Sequence, residues 1–128
     1  MAQKILKIVE TADRATLEEQ DDPVLWLAAT LKGNGAAVDV LLRGSAVAYL
    51  VRGQDASGLQ IGERKQTQSP RLDEDLEKLV ARGVAVYYLE EDLAARGIRR
   101  DELVAGARPT SHAHLAALLS GYDQVWHW

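Results

Sequence analysis

Apolar and polar positions along the chain change period several times, and each change marks an element. Ile5 to Val9 alternates loosely and predicts a first strand. The polar stretch Glu10 to Asp21 has no strong period and reads as a connection over the top of a sheet. Asp22-Pro23 signals a helix start, an aspartate to cap free amides and a proline at the first helical position. From Val24 to Lys32, Leu27, Ala28 and Leu31 share one face, and Gly33 stops the helix. Ala37 to Leu42 predicts a second strand, apolar on both sides except for Asp39.

After that strand the pattern is ambiguous. Arg43-Gly44-Ser45 either turns a hairpin or lets Ser45 cap a short buried helix through Leu50; the alternation of strands and helices around it favours the helix. Gly53 to Ser69 is polar and without clear period, a lid, an interface or a solvated loop, with Leu59 and Ile61 as candidates for docking on a neighbouring subunit. Ser69-Pro70 repeats the cap-and-proline start, and Leu72, Leu76, Leu79 and Val80 keep the spacing of a core-facing helix.

Gly83 launches the central pattern. Val84 to Tyr88 is a short β-branched and aromatic run, long enough for a buried strand and too short for a helix. Glu90, Glu91 and Asp92 then open a helix that Arg96-Gly97 closes, acids at its positive end and arginine at its negative end. Ile98 to Gly106 reads as a short helical turn and loop. Pro109-Thr110-Ser111 predicts the start of a last helix with Leu115, Leu118 and Leu119 inward, and Tyr122 to Trp128 a closing strand. Strands separated by helices predict an α/β fold, three layers α/β/α around a mainly parallel sheet of roughly four to five strands.

Composition narrows this picture. A chain of 128 residues suits one domain spanning 1–128, and 47% hydrophobic with 27% charged residues suits a buried core. A net charge of -4 without a basic stripe argues against nucleic acid. No apolar run approaches the ~20 residues of a membrane span, and no signal-peptide core follows Met1, so no membrane association and a cytoplasmic location are expected. There is no cysteine, which excludes disulfides, thiolate metal sites and chemistry on the protein's own thiol.

Candidate chemistry falls where strands hand over to helices, the usual place for ligands in a parallel sheet. These junctions offer Thr11 and Asp13, then Arg43, Gly44 and Ser45, then Leu89, Glu90, Glu91 and Asp92. Arg43 beside a helix start could hold a small anion. The acids could serve as a general base on an anionic metabolite, although a helix dipole prefers acids there in any case. His112 and His114, two residues apart, point to different faces, so no metal site is expected. No nucleophile motif is present, and neither a catalytic residue nor a cofactor is assigned. Trp126 and Trp128 share a strand face, for core packing or for a subunit contact.

The first strand, Gly33-x-Gly35 before the second, Gly44 at its exit, and above all Gly83-Val84-x-Val86 with Arg96-Gly97-Ile98 resemble the DsrE/DsrF-like (YchN-like) family. That family includes sulfur-relay subunits of bacterial tRNA thiolation and of dissimilatory sulfur oxidation. The resemblance implies a three-layer α/β/α domain assembled into a homo-oligomer (dimer, trimer or hexamer), with a possible protein partner in a sulfur-relay complex. It also favours the helix after Gly44. In active members, a cysteine at the end of the central strand carries a persulfide; counting back from Arg96-Gly97, that position is Leu89 here. The expectation is therefore a non-catalytic subunit binding a partner or small ligand at the strand ends. The competing expectation is an enzyme or binding protein for a small anionic metabolite, using Arg43 and the acids Glu90 to Asp92.

Overall fold

A computed structural model describes residues 3–12 and 22–128. Most of the polar connection read between Glu10 and Asp21, with Asp13, lies outside the described residues. The main sheet has five strands, β1 (Lys4–Val9), β2 (Ala37–Leu42), β5 (Val86–Leu89), β6 (Arg108–Thr110) and β7 (Gln124–His127). They lie in the order β6-β5-β2-β1-β7, and every pair is parallel. Two short strands, β3 (Gln60–Ile61) and β4 (Arg64–Lys65), form a separate antiparallel hairpin. Among the described residues, four α-helices, α1 (Pro23–Gly33), α2 (Leu72–Ala81), α3 (Glu90–Ala95) and α4 (His112–Ser120), complete the three-layer α/β/α fold with a 3-10 helix over Gly44–Leu50.

Strand order explains how the layers fill. From β1 through β2 and β5 to β6 the chain steps in one direction, so right-handed crossovers place their helices on one face. The step from β6 back to β7 reverses direction and carries α4 to the other face. On the first face Val9, Val40, Leu42, Val86 and Tyr88 pack with Leu25, Leu50, Leu76 and Leu93. On the second, Leu6, Ile8 and Leu41 meet Leu115, Leu118, Leu119 and Tyr122, the inward residues expected of the last helix.

Local signals read as predicted in several places. Asp22 caps α1, accepting from the Val24 amide at 2.8 Å with Pro23 in the first turn. Asp39, the polar exception in the second strand, is answered from both sides. Its Oδ1 accepts from the Ala85 amide at 2.8 Å and its Oδ2 from the Tyr122 hydroxyl at 2.6 Å. Burial, with the Asp39 carboxylate close by, holds the Tyr122 hydroxyl far above its ordinary range.

Other boundaries differ. The buried stripe of α1 is Val24, Leu25 and Ala28, with Leu27 only half-buried, although the helix starts at Pro23 as the sequence signals. α2 starts at Leu72, after Arg71, and Ser69-Pro70 lies ahead of it outside the helix. Pro109 and Thr110 belong to β6 rather than to the start of α4. β6 is an edge strand, where a residue without an amide hydrogen is tolerated. The polar stretch from Gly53 contains the β3–β4 hairpin, which leaves Leu59 and Ile61 exposed.

One lysine is buried in the first face. Lys7 Nζ donates to the Val24 carbonyl at 3.3 Å and lies over the rings of Trp126 and Trp128, each 5.6 Å from the ring centre. Those tryptophans are two residues apart in extended chain and so share a face, and the pairing of Trp126 with Lys7 across β1 and β7 makes it the face of the lysine. Burial lowers the Lys7 ammonium to about 8, with Asp22 opposing the shift.

Candidate functional site

Because all five strands are parallel, their carboxyl ends form one edge, and the structure places the predicted site residues that it describes along it. Thr11 follows β1 and is exposed. Ser45 approaches it from the start of the 3-10 helix, its Oγ accepting from the Ala12 amide at 2.9 Å. Gly44 is fixed by local sterics. Its φ is +57°, and a Cβ there would come within 2.6 Å of the Glu10 carbonyl oxygen. The chain can therefore leave β2 this close to the end of β1 only through glycine. The Gly44 amide donates to Asp92 Oδ2 at 2.7 Å, tying the β2 exit to the first turn of α3.

The acids after the central strand all have partners. Glu90 is paired with Arg100, Glu91 Oε1 accepts from the His112 amide at 3.0 Å, and Asp92 holds Gly44. The His112 amide keeps the Glu91 carboxyl below the usual range. These bonds fasten α3 to its neighbours. A groove of about 360 Å³ runs beside them, lined by Glu90, Glu91, Leu93, Ala94, Ile98 and Arg100. A larger one, about 550 Å³, lies between α1 and α2 under the exposed Trp26, away from the strand ends.

Leu89 is the last residue of β5 and is fully buried. It alternates with Tyr88, so it points to the α4 side of the sheet, as Tyr87 does.

Arg43 has a different setting. Among the described residues its Nε is buried without a hydrogen bond, and Glu10 Oε1 stands 3.4 Å away as a long ion pair. The other carboxylate oxygen of Glu10 is 3.4 Å from His127 Nε2. Glu10 and His127 were not singled out by sequence. Glu10 directly follows the first strand and His127 sits between two tryptophans, but only the parallel pairing of β1 with β7 joins them. That pairing continues past the strands, where the Glu10 amide donates to the Trp128 carbonyl at 3.0 Å. Ser111 Oγ and His114 Nδ1 are also 2.8 Å apart at the start of α4, a local contact across one helical turn.

No protein-family model and no curated protein matches the sequence. Solved structures do. The YchN protein of E. coli is 25% identical, with 98% of this chain and 99% of that chain covered and a TM-score of 0.74. MTH1491 of Methanobacterium thermoautotrophicum, a protein of unknown function, is 17% identical over 98% of this chain and 99% of its own, with a TM-score of 0.63. The second likeness is one of fold alone.

Proposed function

The chain belongs to the DsrE/YchN-like family, and from that premise we propose that it is a non-catalytic, oligomeric subunit binding a partner or small ligand at the strand ends. The observation that carries this reading is Leu89. At the position where active relay members resembling this chain carry a persulfide, a fully buried leucine closes the central strand, and the sequence has no cysteine to replace it. Sulfur cannot be passed on through the protein's own thiol. The neighbouring acids support the same reading, since each holds a structural partner rather than standing ready as a general base. A role in sulfur metabolism would then be that of a companion subunit. The donors of Arg43 that have no acceptor among the described residues favour a small anion as the ligand where the ligand is not a protein.

Light scattering of the purified protein at micromolar concentration tests the assembly. A defined oligomer is expected, and a strict monomer would count heavily against the proposal. Native mass spectrometry of protein taken straight from cells separates the two kinds of ligand. An oligomer without added mass supports partner binding, and a reproducible small adduct supports a strand-end pocket.

A further inference from the structure

Three strand ends contribute to the Arg43 cluster, and they meet where the strand order reverses. β1 lies between β2, which follows it in sequence, and β7, which the chain reaches last. In open parallel sheets the crevice outside such a reversal is where ligands settle. Glu10 leaves β1 there, Arg43 leaves β2, and His127 ends β7. The Glu10 carboxylate is shared, one oxygen 3.4 Å from Arg43 Nε and the other 3.4 Å from His127 Nε2. Its backbone is pinned by the Trp128 carbonyl and by close contact with Gly44. Among the described residues, nothing accepts from the two terminal nitrogens of Arg43, the planar fork that suits an oxyanion.

We propose that Arg43, Glu10 and His127 form a binding site for a small divalent oxyanion, in which the protonation of His127 sets the affinity. This rests on the reading of the strand ends as a ligand site and adds its chemistry and its regulation. With His127 neutral, Arg43 and Glu10 cancel, and an anion on the guanidinium fork is repelled by the adjacent carboxylate. With His127 protonated, the cluster carries one net positive charge and Glu10 is held between two cations. Anion binding and proton uptake therefore favour each other, and linkage makes the effect reciprocal.

Among the described residues, the acids after the central strand at this edge are already committed. Asp92 is on the Gly44 amide, Glu91 on the His112 amide, and Glu90 on Arg100. From α4, which covers the face His127 points to, the titratable groups are His112 and His114. Lys7 lies on the opposite face, against the tryptophans.

Sulfate is the probe, because its own charge does not change across the range of interest. Its affinity for the full-length protein is measured by titration calorimetry at about pH 8 and about pH 5.5. Binding is expected to tighten about five-fold at the lower pH. His127→Gln, which keeps a neutral hydrogen-bonding group beside Glu10, should bind at the pH 8 strength throughout. Arg43→Gln should lose binding at both pH values. Should that variant fail to fold by circular dichroism, Arg43→Lys, which keeps the charge without the fork, should bind markedly more weakly than the wild type. No sulfate binding by the wild type, or undiminished binding without the Arg43 fork, overturns the anion site. Binding that needs Arg43 but shows no pH dependence, or the same dependence in His127→Gln, overturns the proton link alone. None of these outcomes changes the oligomeric state, so the subunit reading fails or stands separately.

Discussion

The two faces of the sheet are built from the same strands but to different depths. Among the described residues, nineteen buried ones form the core under α1, α2, α3 and the 3-10 helix, whereas the buried cluster beneath α4 is Leu6, Ile8 and Leu41, with Leu89 buried on the same side. No residue of α4 itself is buried. The deep face is held by apolar burial. The shallow face depends more on particular polar bonds, chiefly Tyr122 to Asp39 and the Glu91 clasp on the α4 amide. The difference follows from topology, since three successive crossovers feed one face and a single return crossover feeds the other.

Paired truncations should expose that difference most strongly. Leu76→Ala, on α2 in the deep face, should cost about 2–5 kcal/mol in denaturant unfolding, because the emptied space is enclosed on all sides. Leu118→Ala on α4 should cost about 1 kcal/mol, since that side chain already meets solvent. Equal losses would mean that the shallow face is covered by something else, such as another subunit.

Tyr122→Phe should come next, at about 1.5–3 kcal/mol, the range for a hydrogen bond to a charged group. The loss comes from leaving Asp39 Oδ2 without its donor, while the ring and its packing remain. An additional Asp39→Asn change should recover part of it, and a double-mutant cycle with no coupling would remove this bond from the account.

The smallest effect belongs to Lys7, a cation buried in the deep face. Lys7 titrates at about 8 in the folded protein against an ordinary 10.5, so between those values the unfolded chain binds more protons. Stability should therefore rise as pH increases from about 8 to about 10, by on the order of 1 kcal/mol after allowance for solvent screening. Below pH 8 the lysine is protonated in both states and contributes no slope. Above about 10 the direction reverses, because burial raises Tyr88 and Tyr122 and their unfolded hydroxyls ionise first. In Lys7→Met the alkaline rise should vanish from denaturant midpoints, and its persistence would assign the slope to another group.

Much of the fold was legible because its signals act over a few residues. Asp22-Pro23 capped the helix it announced, and the apolar spacing of Leu115, Leu118 and Leu119 named the inner side of α4. Pro109 misled because a proline suits a helix start and an edge strand equally, and only the sheet order makes β6 an edge. Asp39 stood out in the second strand, but its donor Tyr122 lies far along the sequence. At the strand ends, sequence marked Arg43, Gly44, Ser45 and the acids as one edge. It did not separate the acids, which turned out to be fastened, from Arg43, whose fork has no acceptor among the described residues.

By itself, then, the sequence determined the element types, the parallel α/β class and the absence of any thiol for relay chemistry, because period, capping and composition are local or additive properties. Tertiary structure decided which face is deep, how a lysine comes to lie under two tryptophans, and that Glu10 stands between Arg43 and His127. Each of those depends on which strands are neighbours. Strand order is fixed by how crossovers pack on a twisted sheet, and no short stretch of sequence carries that information.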